Sequence, residues 1–275
     1  MTQLIENKQP RPNSIANFSS SFSSPFTREQ EQKLRPGGGS VQVKDIIRSK
    51  FRRVEKVFPP LYAILDADQA SGSLTGKLVD AGVRLIQLRD KRASPRVIYD
   101  VARQLHESLA PRGVRVIVND RPDIASMIDA GGVHVGQQDL PVEEARKICG
   151  PGRWVGVSTH NLEQFLEAEQ TSADYIAVGP IFQTATKENP DPIVGLELLW
   201  AARRLTQKPL VAIGGITIES AEDVYRAGAD SVAVVQDLVA AEDPARRVRE
   251  YLEIAERVRA QSAGKDFPRS AKVRD

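Results

Sequence analysis

The sequence predicts a (β/α)8 barrel preceded by a disordered arm and an amphipathic helix. Three observations carry this reading. From Leu61 onward, eight short apolar runs alternate with longer helical patterns, the mark of repeated βα units around a parallel sheet. Eight such units close a barrel, whereas an open doubly wound sheet needs no such count and usually shows a Gly-rich first turn, which is absent after Leu65. The 275 residues, 41% of them hydrophobic, suffice for one barrel of roughly 250 residues.

Residues 1–40, with "SIANFSSSFSSPF" and "RPGGGS", are Ser, Gly, Pro and charge, and ordering them costs more entropy than their burial returns. They read as a disordered arm. A transit peptide fits poorly, because Arg is sparse at the start and Glu6 comes early. Over 41–58, Val43, Ile46, Ile47, Phe51, Val54 and Phe58 recur at three and four, with Lys44, Arg48, Arg52 and Arg53 on other faces. This spacing predicts a basic amphipathic helix packed on its own domain, with membrane contact the weaker alternative. The barrel is predicted over 60–260. Its strands are "LYAIL" (61–65), "VRLIQL" (83–88), "VRVIV" (114–118), "GVHVG" (132–136), "WVGVS" (154–158), "YIAVG" (175–179), "LVAIG" (210–214) and "SVAVV" (231–235). Among the helices, "SPRVIYDVARQLHESLAPRG" opens on Ser94 as N-cap with Pro95 in its first turn, and "TIESAEDVYRAGA" opens on Thr217 and closes at Gly228. The last helix is "DPARRVREYLEIAERVRA", and 261–275 reads as a basic flexible tail.

Composition removes several functions. With 38 Lys and Arg against 36 Asp and Glu the net charge is +2, too little for a general nucleic-acid field, and aromatics at 5% offer few platforms for bases. The lone Cys149 cannot form an internal disulfide, which fits a reducing compartment and a small structural thiol. No apolar run approaches the roughly 20 residues of a membrane span, and the N-terminus lacks signal-peptide order. A soluble cytoplasmic protein is expected, acting on small molecules, with assembly into a homo-oligomer left open.

In a barrel of this type the site lies just past the strand ends. There stand Gln87, Arg89 and Lys91; Asn119 and Asp120; Gln137, Gln138 and Asp139; Ser158, Thr159 and His160; the loop "GPIFQTATKENPDP"; Gly214 and Gly215; and Gln236 and Asp237. Asp120 and Asp139 end adjacent strands, about 4.8 Å apart, so their carboxylates can face one volume. A divalent cation relieves their repulsion, and two carboxylates completed by water and substrate phosphate suit Mg²⁺. Zinc does not fit, since Cys149 and the three His residues show no ligand spacing. Arg89, Lys91 and Lys187 are numerous enough for a pyrophosphate. A second anion site is predicted at Gly214, Gly215 and the backbone after strand eight, with the hydroxyls of "TAT" (184–186) beside it. His134, inside "GVHVG", reads as a hydrogen-bonded barrel histidine, and His160 as the better substrate contact. No Ser-His-Asp order, Schiff-base Lys or redox motif is present, which leaves chemistry by positioning and charge, such as loss of pyrophosphate.

In order, "QLRDK", "VND", "GVHVGQQDL", "GVSTH", "YIAVGPIFQTATK", "AIGGI" and "SVAVV" resemble the thiamine-phosphate synthase family from Pro60 to about Arg259. The resemblance implies a (β/α)8 transferase that joins hydroxymethylpyrimidine diphosphate to thiazole phosphate with Mg²⁺, releasing pyrophosphate. It implies that Gln87, Arg89, Lys91, Asn119, Ser158 and Lys187 bind the pyrimidine diphosphate and that Asp120 and Asp139 hold the metal. Thr184, Thr186, Gly215, Val235 and Gln236 are implied to hold the thiazole phosphate. Asp90 stands where Glu is common, Gln183 where Pro is, and Gln236 where Ser is; the last keeps a backbone N–H but lacks the hydroxyl. Two rival readings keep the barrel: a non-catalytic regulatory relative, and an isomerase acting on the thiazole alone. Both should shed the metal acids, which are present here.

Overall fold

The computed structural model describes residues 58–184 and 192–262. The predicted arm, the amphipathic helix up to 57, Thr186, Lys187 and the tail beyond 262 lie outside the described residues.

Eight parallel strands close into a barrel in chain order: β1 (Leu61–Leu65), β2 (Leu85–Leu88), β3 (Arg115–Asn119), β4 (Gly132–Val135), β5 (Trp154–Thr159), β6 (Tyr175–Val178), β7 (Leu210–Ile213) and β8 (Ser231–Val234). Closure is made by β8 against β1, where Tyr62 pairs with Ala233. Two short helices, α1 (Ala67–Ser71) and α2 (Ser73–Asp80), follow β1, and α3 (Pro95–Leu109) with a 3-10 turn at Ala110–Arg112 follows β2. Then come α4 (Pro122–Met127), α5 (Val142–Cys149), α6 (Leu162–Glu169), α7 (Gly195–Leu205), α8 (Ile218–Arg226), the single turn α9 (Gln236–Val239) and α10 (Pro244–Ser262). Among the described residues no helix is long and apolar enough to cross a membrane.

The helix starts follow from their caps. Ser94 Oγ accepts the Val97 N–H at 3.3 Å ahead of Pro95, and Thr217 and Ser220 form a reciprocal capping box at α8. Strand ends differ from expectation by one or two residues. Val83 belongs to the turn after α2, where its N–H bonds Leu78 and the Arg84 guanidinium holds the Val79 and Val83 carbonyls, so β2 begins at Leu85. β3 and β5 each run one residue further, carrying Asn119 and Thr159 as strand residues. The last helix continues through Gln261 to Ser262.

The period-two alternation of each strand sorts its residues into two cores. Outward residues such as Leu61, Ala63, Leu65, Ile86, Leu88, Val116 and Val118 pack under the helices. Inward residues, Tyr62, Ile64, Leu85, Ile117, Tyr175, Ala177, Val211 and Ala233, fill the barrel. Phe58 plugs its floor: the ring stacks on Trp154 with centroids 5.0 Å apart and meets Tyr175 at 5.3 Å. The Arg115 guanidinium lies 3.9 Å from the centre of the Trp154 ring. Tyr175 fits because residue 156 is glycine; a β-carbon there would lie 2.0 Å from the phenol ring.

Candidate active site

Asp120 directly follows β3 in a left-handed conformation, φ 57°, which Asp tolerates better than most residues. Its N–H donates to the His134 carbonyl at 2.8 Å, which ties the β3 end to β4. Asp139 sits in the turn after β4, where its Oδ2 accepts the Gly136 N–H at 2.8 Å. A β-carbon at Gly136 would stand 2.9 Å from that oxygen, so a larger residue would push the Asp139 carboxylate aside. The two carboxyls are near enough for Asp139 to act on the protonation of Asp120. Burial, then the bond and charge of Asp139, push Asp120 up to about 6, with Lys91 acting against them.

Lys91 Nζ stands 3.5 Å from Asp120 Oδ2, its side chain 60% exposed against 23% for the acid. The lysine thus reaches from solvent over a more deeply set carboxylate. Its loop is shaped by Asp90, whose carboxylate accepts the backbone N–H groups of Ala67, Arg92 and Ala93 at 3.3, 2.9 and 3.0 Å. The Arg92 N–H above all holds Asp90 below the usual carboxylate range, so this acid braces the loop.

Among the described residues no group of three or more His, Cys, Asp or Glu could hold a metal. Two crowded, partly desolvated carboxylates with oxygen donors only fit a hard ion that takes its remaining ligands from water and substrate; they do not fit zinc.

Gln87 and Ser158 face the barrel interior and are the two ends of a buried hydrogen-bonded chain. Gln87 Nε2 donates to Tyr62 Oη at 2.8 Å; Tyr62 Oη and Tyr175 Oη are 3.0 Å apart; Tyr175 Oη meets His134 Nδ1 at 3.0 Å; and His134 Nε2 meets Ser158 Oγ at 2.8 Å. Burial, and then the Arg89 charge, lower the His134 imidazole to about 4, so it is neutral near pH 7. His134 is therefore the hydrogen-bonded barrel histidine that its position in "GVHVG" predicts. Asn119 pairs in register with His134 on β4, and Arg89 follows β2 with its N–H on the Leu65 carbonyl at 2.8 Å.

On the opposite part of the rim, Gly214 and Gly215 both take positive φ, 100° and 64°. A β-carbon at 215 would lie 2.2 Å from the Gln183 carbonyl oxygen, so the loop after β7 runs hard against the β6 loop that carries the half-buried Thr184. Val235 precedes the short α9, whose first residue, Gln236, is exposed. Thr186, which completes this half in the sequence reading, and Lys187, assigned there to the pyrimidine diphosphate, lie outside the described residues.

Two rim candidates have other employment. Asp237 turns away to α10, paired with Arg247 at 2.5 Å and the Tyr251 hydroxyl at 2.7 Å. The His160 ring meets the Gly179 carbonyl through Nδ1 at 2.6 Å, tying the β5 end to the β6 loop. Conversely, Tyr62 and Tyr175 escape a search of strand ends because they sit inside apolar runs. Their signal is parity: Tyr62 shares a strand face with Ile64, and Tyr175 with Ala177, which are the faces that point into the barrel.

A family model described as thiamine monophosphate synthase matches residues 61–238. The thiamine-phosphate synthase of Koribacter versatilis is 50% identical over 204 residues, which span 71% of this chain and 95% of that protein. That of Chloroflexus aurantiacus is 43% identical over 203 residues, 71% of this chain and 94% of its own length. The solved thiamine phosphate pyrophosphorylase from Pyrococcus furiosus superposes with a TM-score of 0.65 at 33% identity, covering 72% of this chain and 96% of that one.

Proposed function

The chain belongs to the thiamine monophosphate synthase family and is a transferase; on that premise we propose that it joins hydroxymethylpyrimidine diphosphate to thiazole phosphate, giving thiamine phosphate and pyrophosphate, with Mg²⁺ held by Asp120 and Asp139. The observation that carries the proposal is Asp120, pushed up to about 6 by burial and by Asp139. Such a pair is costly unless a cation is shared there when the site works. When bound, Mg²⁺ supplies positive charge to the diphosphate oxygens.

The protein's own groups divide the remaining work. Arg89, Lys91 and Lys187 neutralise the departing pyrophosphate, while Gln87, Asn119 and Ser158 hold the pyrimidine end. Thr184, Thr186, Gly215, Val235 and the Gln236 N–H hold the thiazole phosphate. No side chain in this arrangement is an activated nucleophile. No covalent protein adduct is therefore needed, and in this proposal bond breaking precedes attack: positive charge grows on the pyrimidine methylene carbon and is delocalised by the amino-pyrimidine ring. The free, buried Cys149 agrees with a reducing, cytoplasmic setting.

Pyrophosphate release from the two substrates by purified protein tests the function, and excess chelator tests the metal. Release is expected with Mg²⁺ and its loss with chelator; a folded protein that releases none overturns the assignment, and full activity in chelator overturns the metal site. Single-turnover rates test the order of bond changes. An electron-withdrawing substituent on the pyrimidine is expected to slow the step strongly, and a weak effect with marked dependence on the thiazole nucleophile would favour direct displacement.

A further inference from the structure

The chain from Gln87 to Ser158 crosses the barrel interior through three side chains that have no place in the chemistry proposed above. Tyr62, Tyr175 and His134 are all buried. Hydrogen-bonding rules give the chain a direction. The amide nitrogen of Gln87 can only donate, so Tyr62 Oη accepts from it at 2.8 Å. Tyr62 has one proton, and the partner left for it among the described residues is Tyr175 Oη at 3.0 Å. The proton of Tyr175 then goes to His134 Nδ1 at 3.0 Å, which makes His134 the Nε2–H tautomer and a donor to Ser158 Oγ at 2.8 Å. Run in reverse, the chain gives Tyr62 Oη two donors and leaves its own buried proton without an acceptor, an arrangement that proteins avoid.

We propose that this directed chain fixes the Ser158 hydroxyl as a donor toward the pyrimidine diphosphate, and that Tyr62, Tyr175 and His134 are positioning residues for that substrate. With Oγ already accepting from His134, the single Ser158 proton is turned away from the histidine and toward the mouth of the barrel. A serine without this brace could rotate to donate inward and would present a lone pair to the ligand instead. The substrate named here rests on the function proposed above; the direction of the chain does not.

Two measurements test it on the full-length protein. Nitrogen-15 NMR of histidine-labelled enzyme, with the His134 signals assigned by their loss in His134→Asn, is expected to show a protonated Nε2 and an unprotonated, hydrogen-bonded Nδ1. An Nδ1–H tautomer overturns the direction, whether or not the enzyme turns over its expected substrates. In steady-state kinetics, Tyr175→Phe keeps the ring and removes the link. It is expected to raise KM for the pyrimidine diphosphate about tenfold, the scale of one hydrogen bond, and to leave KM for the thiazole phosphate unchanged. In a Ser158→Ala background the same change should add less than twofold. Equal effects with and without Ser158, or a fall in melting temperature with both KM values unchanged, overturn the positioning role. Failure of the wild-type enzyme to release pyrophosphate would instead overturn the functional reading and leave the NMR result to decide the chain.

Discussion

The rim and the interior of this barrel are built from the same strands and satisfy their polar groups in opposite ways. At the rim, Asp120 is partly desolvated beside a second carboxylate, and Lys91, mostly in solvent, offsets that only in part. Inside, Gln87, Tyr62, Tyr175, His134 and Ser158 pair one another in a chain that carries no net charge. Below them Phe58 and Trp154 stack into an aromatic floor that the Tyr175 ring meets. The difference separates two ways of serving a ligand: an unsatisfied charge is a cost that a bound ion can remove, whereas a satisfied neutral network gains no charge from a ligand and instead fixes the direction of the groups at its ends.

The comparison is tested most severely by Asp120→Asn. The residue supports no core and its charge is a cost to the metal-free fold, so activity should fall roughly 100-fold or more while the melting temperature does not fall. A variant inactive because it has unfolded would erase the distinction between rim and frame. Phe58→Ala should do the reverse. Removing a ring stacked on Trp154 should cost about 3 kcal/mol in urea denaturation, with the activity of the folded fraction retained.

A subtler contrast lies in pH. Asp120 is raised from 3.8 to about 6, so its contribution to the stability of metal-free protein is fully present below pH 4 and is lost as pH rises through 6. His134 is lowered from 6.5 to about 4, so its contribution is present above pH 6.5 and is lost as pH falls through 4. The two slopes oppose each other between pH 4 and 6. Relative to the parent protein, Asp120→Asn should therefore make stability fall more steeply on acidification, and His134→Asn should make it fall less steeply. Denaturation midpoints in metal-free buffer across that window decide it, and a change of slope in the same direction in both variants would refute the pairing. The smallest effect is expected from deleting residues 1–40, whose composition supports no core: neither activity nor stability should move. A melting temperature lower by several degrees, equivalent to roughly 1 to 2 kcal/mol, would show that the arm packs somewhere.

Much of the frame was legible before any coordinates. Apolar runs bounded by polar residues locate all eight strands within two residues, because a parallel strand buried on both faces has little freedom in composition. The acid pair was legible for a similar reason: residues just past strands three and four must share a rim once the barrel closes. Proximity along the rim did not reveal occupation, however. Asp237 follows β8 as Asp120 follows β3, yet Arg247 and Tyr251 on α10 claim it, and nothing at position 237 announces partners ten and fourteen residues later. The Tyr62–Tyr175 contact was less accessible still, since the partners are 113 residues apart and each reads locally as a packing aromatic.

The vacant side-chain position at Gly156 also constrains how this sequence can change. A β-carbon there would run into the Tyr175 ring at 2.0 Å, so no larger residue can be accepted at 156 until 175 has become smaller. A smaller residue at 175, accepted first, severs the link between Tyr62 and His134 and opens a cavity above Phe58. Either first step is harmful, and the second cannot undo the loss of the phenol. The barrel centre is thus reachable by mutation only through a valley of impaired intermediates. Asp120 and Asp139 have no such guard, because a single change to asparagine at either removes the charge while keeping the side chain's size. A lineage released from the need for catalysis should lose its acids early and keep the Gly156 and Tyr175 pair long after, so that a silent descendant would still look like an enzyme from the inside.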